Sequence, residues 1–229
     1  MANVVITGAN RGIGLELTRL YAEKGDDVFA FCRAPQSAGT LNEFAGRSGG
    51  RVHVHRMDVA DENSILAAAD AVGDRPVDIL INNAGIRGGD KQSLEKTDTA
   101  EWLESFKVMA IGPFRVVQAF LKNLRAARNP KIMTVTSQIA ASTWPMGGSY
   151  SYGSAKAAVN RVMQGMARDL KDQVIVNLIH PGWVRTDMGG ANADISAEES
   201  AAGILKVIAS VTRADSGKFY KWNGDIHPW

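Results

Sequence analysis

Asn3-Val4-Val5-Ile6-Thr7 runs without a break into Gly8-Ala9-Asn10-Arg11-Gly12-Ile13-Gly14, and the pattern turns helical over residues 15–24 before Gly25 ends it. The first five residues are short and β-branched, the composition of a buried strand. The three glycines let the backbone come close to a ligand, and a helix N-terminus offers unpaired N–H groups and partial positive charge to an anion. Strand, glycine-rich turn and helix in that order make a dinucleotide site with the pyrophosphate on the turn. The competing reading is an ordinary tight turn between strand and helix. Three glycines at this spacing, directly after the first strand, favour the nucleotide.

Outward from that turn, strands keep alternating with helices. Residues 27–32 form a second strand ending in Cys32, followed by Arg33. The residue after the second strand of a dinucleotide fold meets the adenosine ribose, where an acid would bond the 2′-hydroxyl and an arginine would take a 2′-phosphate. No acid stands there, and Arg11 in the glycine turn adds a second cation to Arg33. Two cations near one phosphate favour NADP(H) over NAD(H); the alternative is that either is a solvated surface residue. Residues 51–57 alternate as a third strand with His53 and His55 on one polar face. No further ligands converge on them, so they read as structural and no metal site is suggested. Asp58-Val59 closes the strand, and residues 61–72 read as a helix with Asp61 or Asn63 near its N-cap. A fourth strand over 77–81 leads into Asn82-Asn83-Ala84-Gly85, small residues and amides suited to the ligand crevice of an open parallel sheet.

Residues 99–125 read as one long helix with apolar Trp102, Phe106, Met109, Phe114, Val117 and Leu121. A fifth strand over 131–136 delivers Ser137 at its carboxyl end, where a hydroxyl can donate to a substrate carbonyl oxygen. A helix then carries Tyr152 and Lys156, whose spacing of four places them on one face. A free phenol titrates near pH ~10 and must lose roughly two or three units to exchange protons efficiently at neutral pH. Two unit charges ~4 Å apart interact by about 4 kcal/mol at an effective dielectric of ~20, which is roughly three pKa units. The ammonium is therefore expected to lower the pKa of the phenol. A sixth strand over 174–179 precedes His180-Pro181-Gly182-Trp183-Val184-Arg185-Thr186, and residues 187–196 read as a short mobile lid. A helix over 197–210 has Ser196 as N-cap and Glu198 and Glu199 in its first turn; a short strand over 218–220 follows. Trp144, Met146, Trp183 and Met188 lie in segments that should border a substrate cleft, suiting an apolar or aromatic carbonyl compound; the alternative is loop residues packed into the core. Trp222 and Trp229 are assigned to packing.

Composition sets the limits. In 229 residues, 45% hydrophobic, there is material for one large core and a single domain. A formal charge of +2 without a lysine or arginine block gives no sign of nucleic acid or a membrane surface as partner. One cysteine, Cys32, excludes an intrachain disulfide framework and fits a reducing compartment. No apolar run approaches the ~18 residues of a membrane span, so the expectation is a soluble cytoplasmic protein.

Alternating strands and helices imply an α/β fold, a doubly wound parallel sheet. Thr7-Gly8-x-x-x-Gly12-x-Gly14, Asp58-Val59, Asn82-Asn83-Ala84-Gly85, Ser137, Tyr152-x-x-x-Lys156 and Pro181-Gly182 together resemble, in order and rough spacing, the short-chain dehydrogenase/reductase superfamily. The ending, with Gly-Asp-Ile-His-Pro-Trp at residues 224–229, is similar to that of the C-factor/sniffer-type carbonyl reductases. The resemblance implies a single Rossmann domain over residues 1–229 with about seven strands and helices on both faces. Its cofactor half would span about 1–125 and its catalytic and substrate half about 126–229. It implies Tyr152 as acid/base, Lys156 lowering its pKa and holding the nicotinamide ribose, and Ser137 orienting the carbonyl. Gly8, Gly12 and Gly14 would line the pyrophosphate, with Asn10, Arg11 and Ile13 of the same turn also at the cofactor, Asp58 and Val59 the adenine, and Asn82, Asn83, Ala84 and Gly85 the adenosine side. Pro181, Gly182, Val184 and Thr186 would complete the cofactor site, Thr186 at the carboxamide or the pyrophosphate. The implied activity is NADPH-dependent reduction of a small-molecule carbonyl, or the reverse oxidation of an alcohol. The implied assembly is a homodimer or homotetramer through the long helices at 99–125 and 152–169.

There is one departure. Most members carry an asparagine three residues before a glycine in the long helix, which helps tie a water to the catalytic lysine; before Gly112 that position is Met109. A thioether cannot replace an amide's donor and acceptor. Either the proton relay runs through a backbone carbonyl and water, or part of the activity is lost, which leaves an NADP(H)-binding signalling or regulatory protein as the second reading. Ser137 has two weaker alternatives, Ser142 and Thr136.

Overall fold

Apolar residues on both sides of nearly every strand require a sheet covered on both faces, and the computed structural model, which describes residues 1–89, 92–144 and 146–229, has that form. Strands β1 (Asn3–Thr7), β2 (Asp27–Cys32), β3 (Val52–Arg56), β4 (Ile79–Asn82), β5 (Lys131–Val135), β6 (Ile175–His180) and β7 (Phe219–Lys221) form one sheet in the order β3-β2-β1-β4-β5-β6-β7. All neighbours are parallel, for example Thr7 opposite Phe31 and Ile6 opposite Ile81. The sheet grows outward in both directions from β1 and β4, and that reversal opens a crevice at their carboxyl ends.

Alternation along β1 feeds two cores. Val4 and Ile6 pack with Leu17, Tyr21, Leu41 and Ile204 from helices α1 (Gly12–Glu23), α2 (Gly39–Arg47) and, far along the chain, the helix Ala197–Ser210. Val5 points the other way, to Ile65 of α3 (Glu62–Val72), to Met109, Val116 and Leu124, and to Val159 and Met163 of the helix Tyr150–Asp169. Among the described residues, no helix is long and apolar enough to cross a membrane.

The continuous helix expected over 99–125 is instead divided: α4 (Thr99–Phe106), a π turn at Lys107–Ile111, α5 (Gly112–Ala119) and α6 (Leu121–Ala126). Pro113 explains the π turn. It has no N–H to give to the Met109 carbonyl, and its ring crowds the carbonyl four residues back, so the backbone widens and the Gly112 N–H bonds Lys107 instead. Gly112 must be glycine, since a Cβ there would stand 2.6 Å from the Val59 carbonyl oxygen. Helix α2 was not foreseen, for it is short, only Leu41 in it is buried, and its apolar stripe is no more than Leu41, Phe44 and Ala45. The remaining helices are α7 (Tyr150–Asp169) and α8 (Ala197–Ser210). His53 and His55 stack on Phe29 and Phe31 of β2, the structural role expected of them.

Candidate active site

The glycine turn is held open by its neighbours. The Thr7 hydroxyl accepts from the backbone N–H groups of Asn83 (3.0 Å) and Ala84 (3.1 Å), and Asn83 Nδ2 donates to the carbonyls of Thr7 and Gly8, both at 3.0 Å. These bonds tie the end of β1 to the end of β4. A Cβ on Gly14 would stand 2.2 Å from the Gly8 carbonyl oxygen, and Gly8 itself has φ +68, so neither position tolerates a side chain. Helix α1 has no side-chain cap, which leaves its first-turn N–H groups available to an anion. This is the geometry a pyrophosphate needs.

A cavity of about 430 Å³ runs from this turn to Tyr152 and Lys156. Of the residues named from the sequence, Gly8, Asn10, Arg11, Gly12, Ile13, Arg33, Asp58, Val59, Asn83, Ala84, Gly85, Pro181, Thr186 and Met188 line it. Thr186 also touches the glycine turn, its methyl 3.1 Å from where a Cβ on Gly12 would be. Four cofactor candidates stand behind the wall. Gly14 is packed under Gly8; Asn82 is buried with its Nδ2 3.4 Å from the Thr134 hydroxyl; Gly182 abuts Ile195 and Trp222; Val184 is buried and bridges Ile195. They shape the backbone of the site rather than its surface. Thr136, named as an alternative to Ser137, lines the cavity too. Cys32, Met57, Ile86, Val108, Val135, Arg185 and Asp187 line it without having been assigned to the site; most sit at or beside carboxyl ends of strands, the one signal available for them.

Arg11 is not free beside Arg33. Its guanidinium pairs with Asp187 at 2.7 Å across the mouth of the cavity, and Arg87 donates to the Met188 carbonyl beside it. Trp183 Nε1 donates to Gly189 (2.9 Å) and Arg185 to the carbonyls of Ala193 and Asp194. The segment, expected to be a short mobile lid, forms a strap tied at several points. Trp144, Met146 and Trp183 are 47%, 56% and 50% exposed and lie outside the cavity wall.

Burial dominates the electrostatics at the other end. Lys156 is buried, its Nζ donates to the Val135 carbonyl at 2.8 Å, and desolvation lowers its pKa to about 8. Burial pushes the Tyr152 phenol above its ordinary value, and the Ser137 hydroxyl pulls it back in part. The direction is opposite to the depression expected from Lys156. The ammonium lies over the Tyr152 ring, 5.8 Å from its centroid, and contributes nothing resolved to the phenol's titration. Of the three candidate hydroxyls, Ser137 faces the phenol; Thr136 donates to Asn160 Oδ1 (2.7 Å) and Ser142 to the Trp229 carbonyl (3.1 Å). Met109 is buried, and its sulfur and Lys156 Nζ both border Gly85.

Comparison with known proteins agrees with this geometry. The family model described as short chain dehydrogenase matches residues 2–197. The C-signal protein of Myxococcus xanthus is 41% identical over 158 residues, 67% of this chain and 93% of that one. NADPH-bound carbonyl reductase from chicken fatty liver superposes with a TM-score of 0.94 at 31% identity, covering 100% of this chain and 99% of the other. Carbonyl reductase Sniffer of D. melanogaster gives 0.92 at 25% identity over 100% of both chains.

Proposed function

The chain belongs to the short chain dehydrogenase family, and on that premise we propose that it reduces an aldehyde or ketone to an alcohol with NADPH as the hydride donor. The observation that carries this is the single cavity joining a glycine turn to Tyr152 and Lys156. The turn fits a dinucleotide: its glycines admit no Cβ and the first turn of α1 is uncapped. Arg33 and the missing acid after β2 favour a 2′-phosphate. Bound NADPH supplies a hydride to the carbonyl carbon.

The chain's own groups handle the oxygen. Tyr152 and Ser137 hydrogen-bond the carbonyl oxygen, and Tyr152 gives it the proton as negative charge develops. A phenol held high by burial is protonated at neutral pH, which suits a donor. After transfer, the ammonium of Lys156 over the ring offsets the charge of the phenolate. A homodimer or homotetramer through α4, α5 and α7 belongs to the same reading, supported by exposed Leu103, Ile111 and Phe114.

A second reading is favoured by Met109. With Met109 where the family's asparagine would stand, proton resupply would be impaired, and the chain would bind NADP(H) chiefly as a regulatory module. The test is NADPH oxidation against aldehydes, ketones, quinones and diketones for wild type, Tyr152→Phe and Met109→Asn. Turnover in wild type that falls by about 10²- to 10⁴-fold in Tyr152→Phe supports the reductase, and a rise in Met109→Asn shows that the amide is limiting. NADPH binding without turnover in either wild type or Met109→Asn favours the regulatory module.

A further inference from the structure

Gln92, in the loop between β4 and α4, uses both ends of its amide. Nε2 donates to the carbonyls of Arg87 (2.9 Å) and Gly89 (3.2 Å), while Oε1 lies 2.8 Å from the Ser151 hydroxyl and accepts the backbone N–H of Tyr152 at 3.3 Å. Two donors and two lone pairs are all an amide has. Buried Ser151 shares its one proton between Gln92 and the Gly88 carbonyl, so loop and helix are joined from both sides. Gly88 seats this closely because it has no Cβ, which would stand 2.7 Å from both Ser105 Oγ and Ser151 Oγ.

Helix α7 needs an outside acceptor at this point. Ser149, its N-cap, is left-handed (φ 52) and provides no side-chain cap. First-turn N–H groups have no partner inside a helix, and Tyr152 carries one of them. A left-handed non-glycine residue persists only where its surroundings over-determine it. Gln92 and Ser151 supply that constraint next to the phenol.

We propose that Gln92 is a positioning residue that fixes the β4–α4 loop to the first turn of α7, keeping Ile86, Arg87 and the Tyr152 phenol at one spacing. The proposal rests on the reductase reading for its kinetic consequence. Ile86 lines the cavity and Arg87 holds the Met188 carbonyl of the strap, so the loop sets where a carbonyl substrate sits against Tyr152.

Gln92→Glu keeps the acceptor end and loses the donors to Arg87 and Gly89; Gln92→Leu loses both. The experiment compares KM, kcat, its pH profile, NADPH affinity by fluorescence, and amide hydrogen exchange of residues 86–89 and 150–155. Expected are a KM raised roughly tenfold in both variants, NADPH affinity unchanged, and a pH profile altered in both, in Gln92→Glu by the new carboxylate beside Tyr152. Exchange should quicken at 86–89 in both variants and at 150–155 only in Gln92→Leu. Unchanged KM and exchange overturns the proposal, as does a parallel loss of KM, kcat, NADPH affinity and thermal midpoint, which a merely structural residue would give. If wild type reduces no carbonyl, the reductase reading falls and the exchange pattern decides for Gln92 alone.

Discussion

At one end of the cavity Gly8 and Gly12 present backbone, with Gly14 packed beneath them, and at the other Tyr152 and Lys156 present long side chains taken out of water. The glycine end carries no buried charge; its specificity is steric and rests on atoms that cannot approach any closer. The tyrosine end stores electrostatic work, with a phenol pushed up and an ammonium pushed down on the same helix face. Damage to the first should therefore be insensitive to pH, and damage to the second should depend on it.

Gly14→Ala breaks the steric end. The new methyl would meet the Gly8 carbonyl oxygen at 2.2 Å and Asn83 Nδ2 at 2.5 Å, and backbone and a doubly bonded amide cannot yield easily. Overpacking of this kind costs about 1–3 kcal/mol or more. We expect a lowered thermal midpoint and NADPH affinity reduced roughly ten- to hundredfold, equally at pH 6 and pH 9. A variant that binds NADPH like wild type would show that the turn is softer than its contacts imply.

Lys156→Met probes the electrostatic end. The folded chain holds the lysine at about 8 against an ordinary 10.5, so between these values it binds fewer protons than the unfolded chain and stability rises with pH. Below pH 8 the fold carries the full burden of the ammonium, on the order of 3 kcal/mol. Orphaning the Val135 carbonyl offsets part of any gain, by about 1–3 kcal/mol. The decisive quantity is the trend: relative to wild type, Lys156→Met should be favoured most at pH 7 and lose that advantage by pH 10.5, with turnover absent throughout. Parallel curves of thermal midpoint against pH would mean that Lys156 is better solvated than its surroundings suggest.

The same contrast governs what the sequence made legible. β1, β2 and α8 were read to the residue, and the glycine turn with them, because strand composition, glycine spacing and the Ser196 cap are local signals. The long helix was misread although the signal was present. From Met109 to Phe114 is a step of five that no single helix face accommodates, and Pro113 lies inside it; Phe114 is turned to solvent. The tyrosine end was legible as residue types and spacing but not as energies. Whether Lys156 or burial sets the phenol depends on side-chain placement, and the ammonium is spent on a carbonyl of β5. Gln92 with Tyr152 and Arg11 with Asp187 are pairs 60 and 176 residues apart, and no local pattern announces them.

The pair Arg11–Asp187 ties the glycine end to the strap, and it sharpens the comparison with the smallest expected effect. If Arg11 and Arg33 receive a 2′-phosphate, Asp187 competes with that phosphate for Arg11. Both side chains are mostly exposed, at 64% and 75%, so the competition is screened by water. Exposed pairs are worth about 0.2–1 kcal/mol, a factor of roughly 1.4 to 5 in affinity. Asp187→Asn should tighten NADPH binding within that range and leave NADH untouched, and the gain should vanish near 1 M salt, where the Debye length is ~3 Å. The strap should stay in place, since Arg87 and Arg185 hold it through backbone carbonyls that the substitution does not alter. Unchanged NADPH affinity with a raised substrate KM would instead make the pair a fastening of the strap, and leave the 2′-phosphate to Arg33.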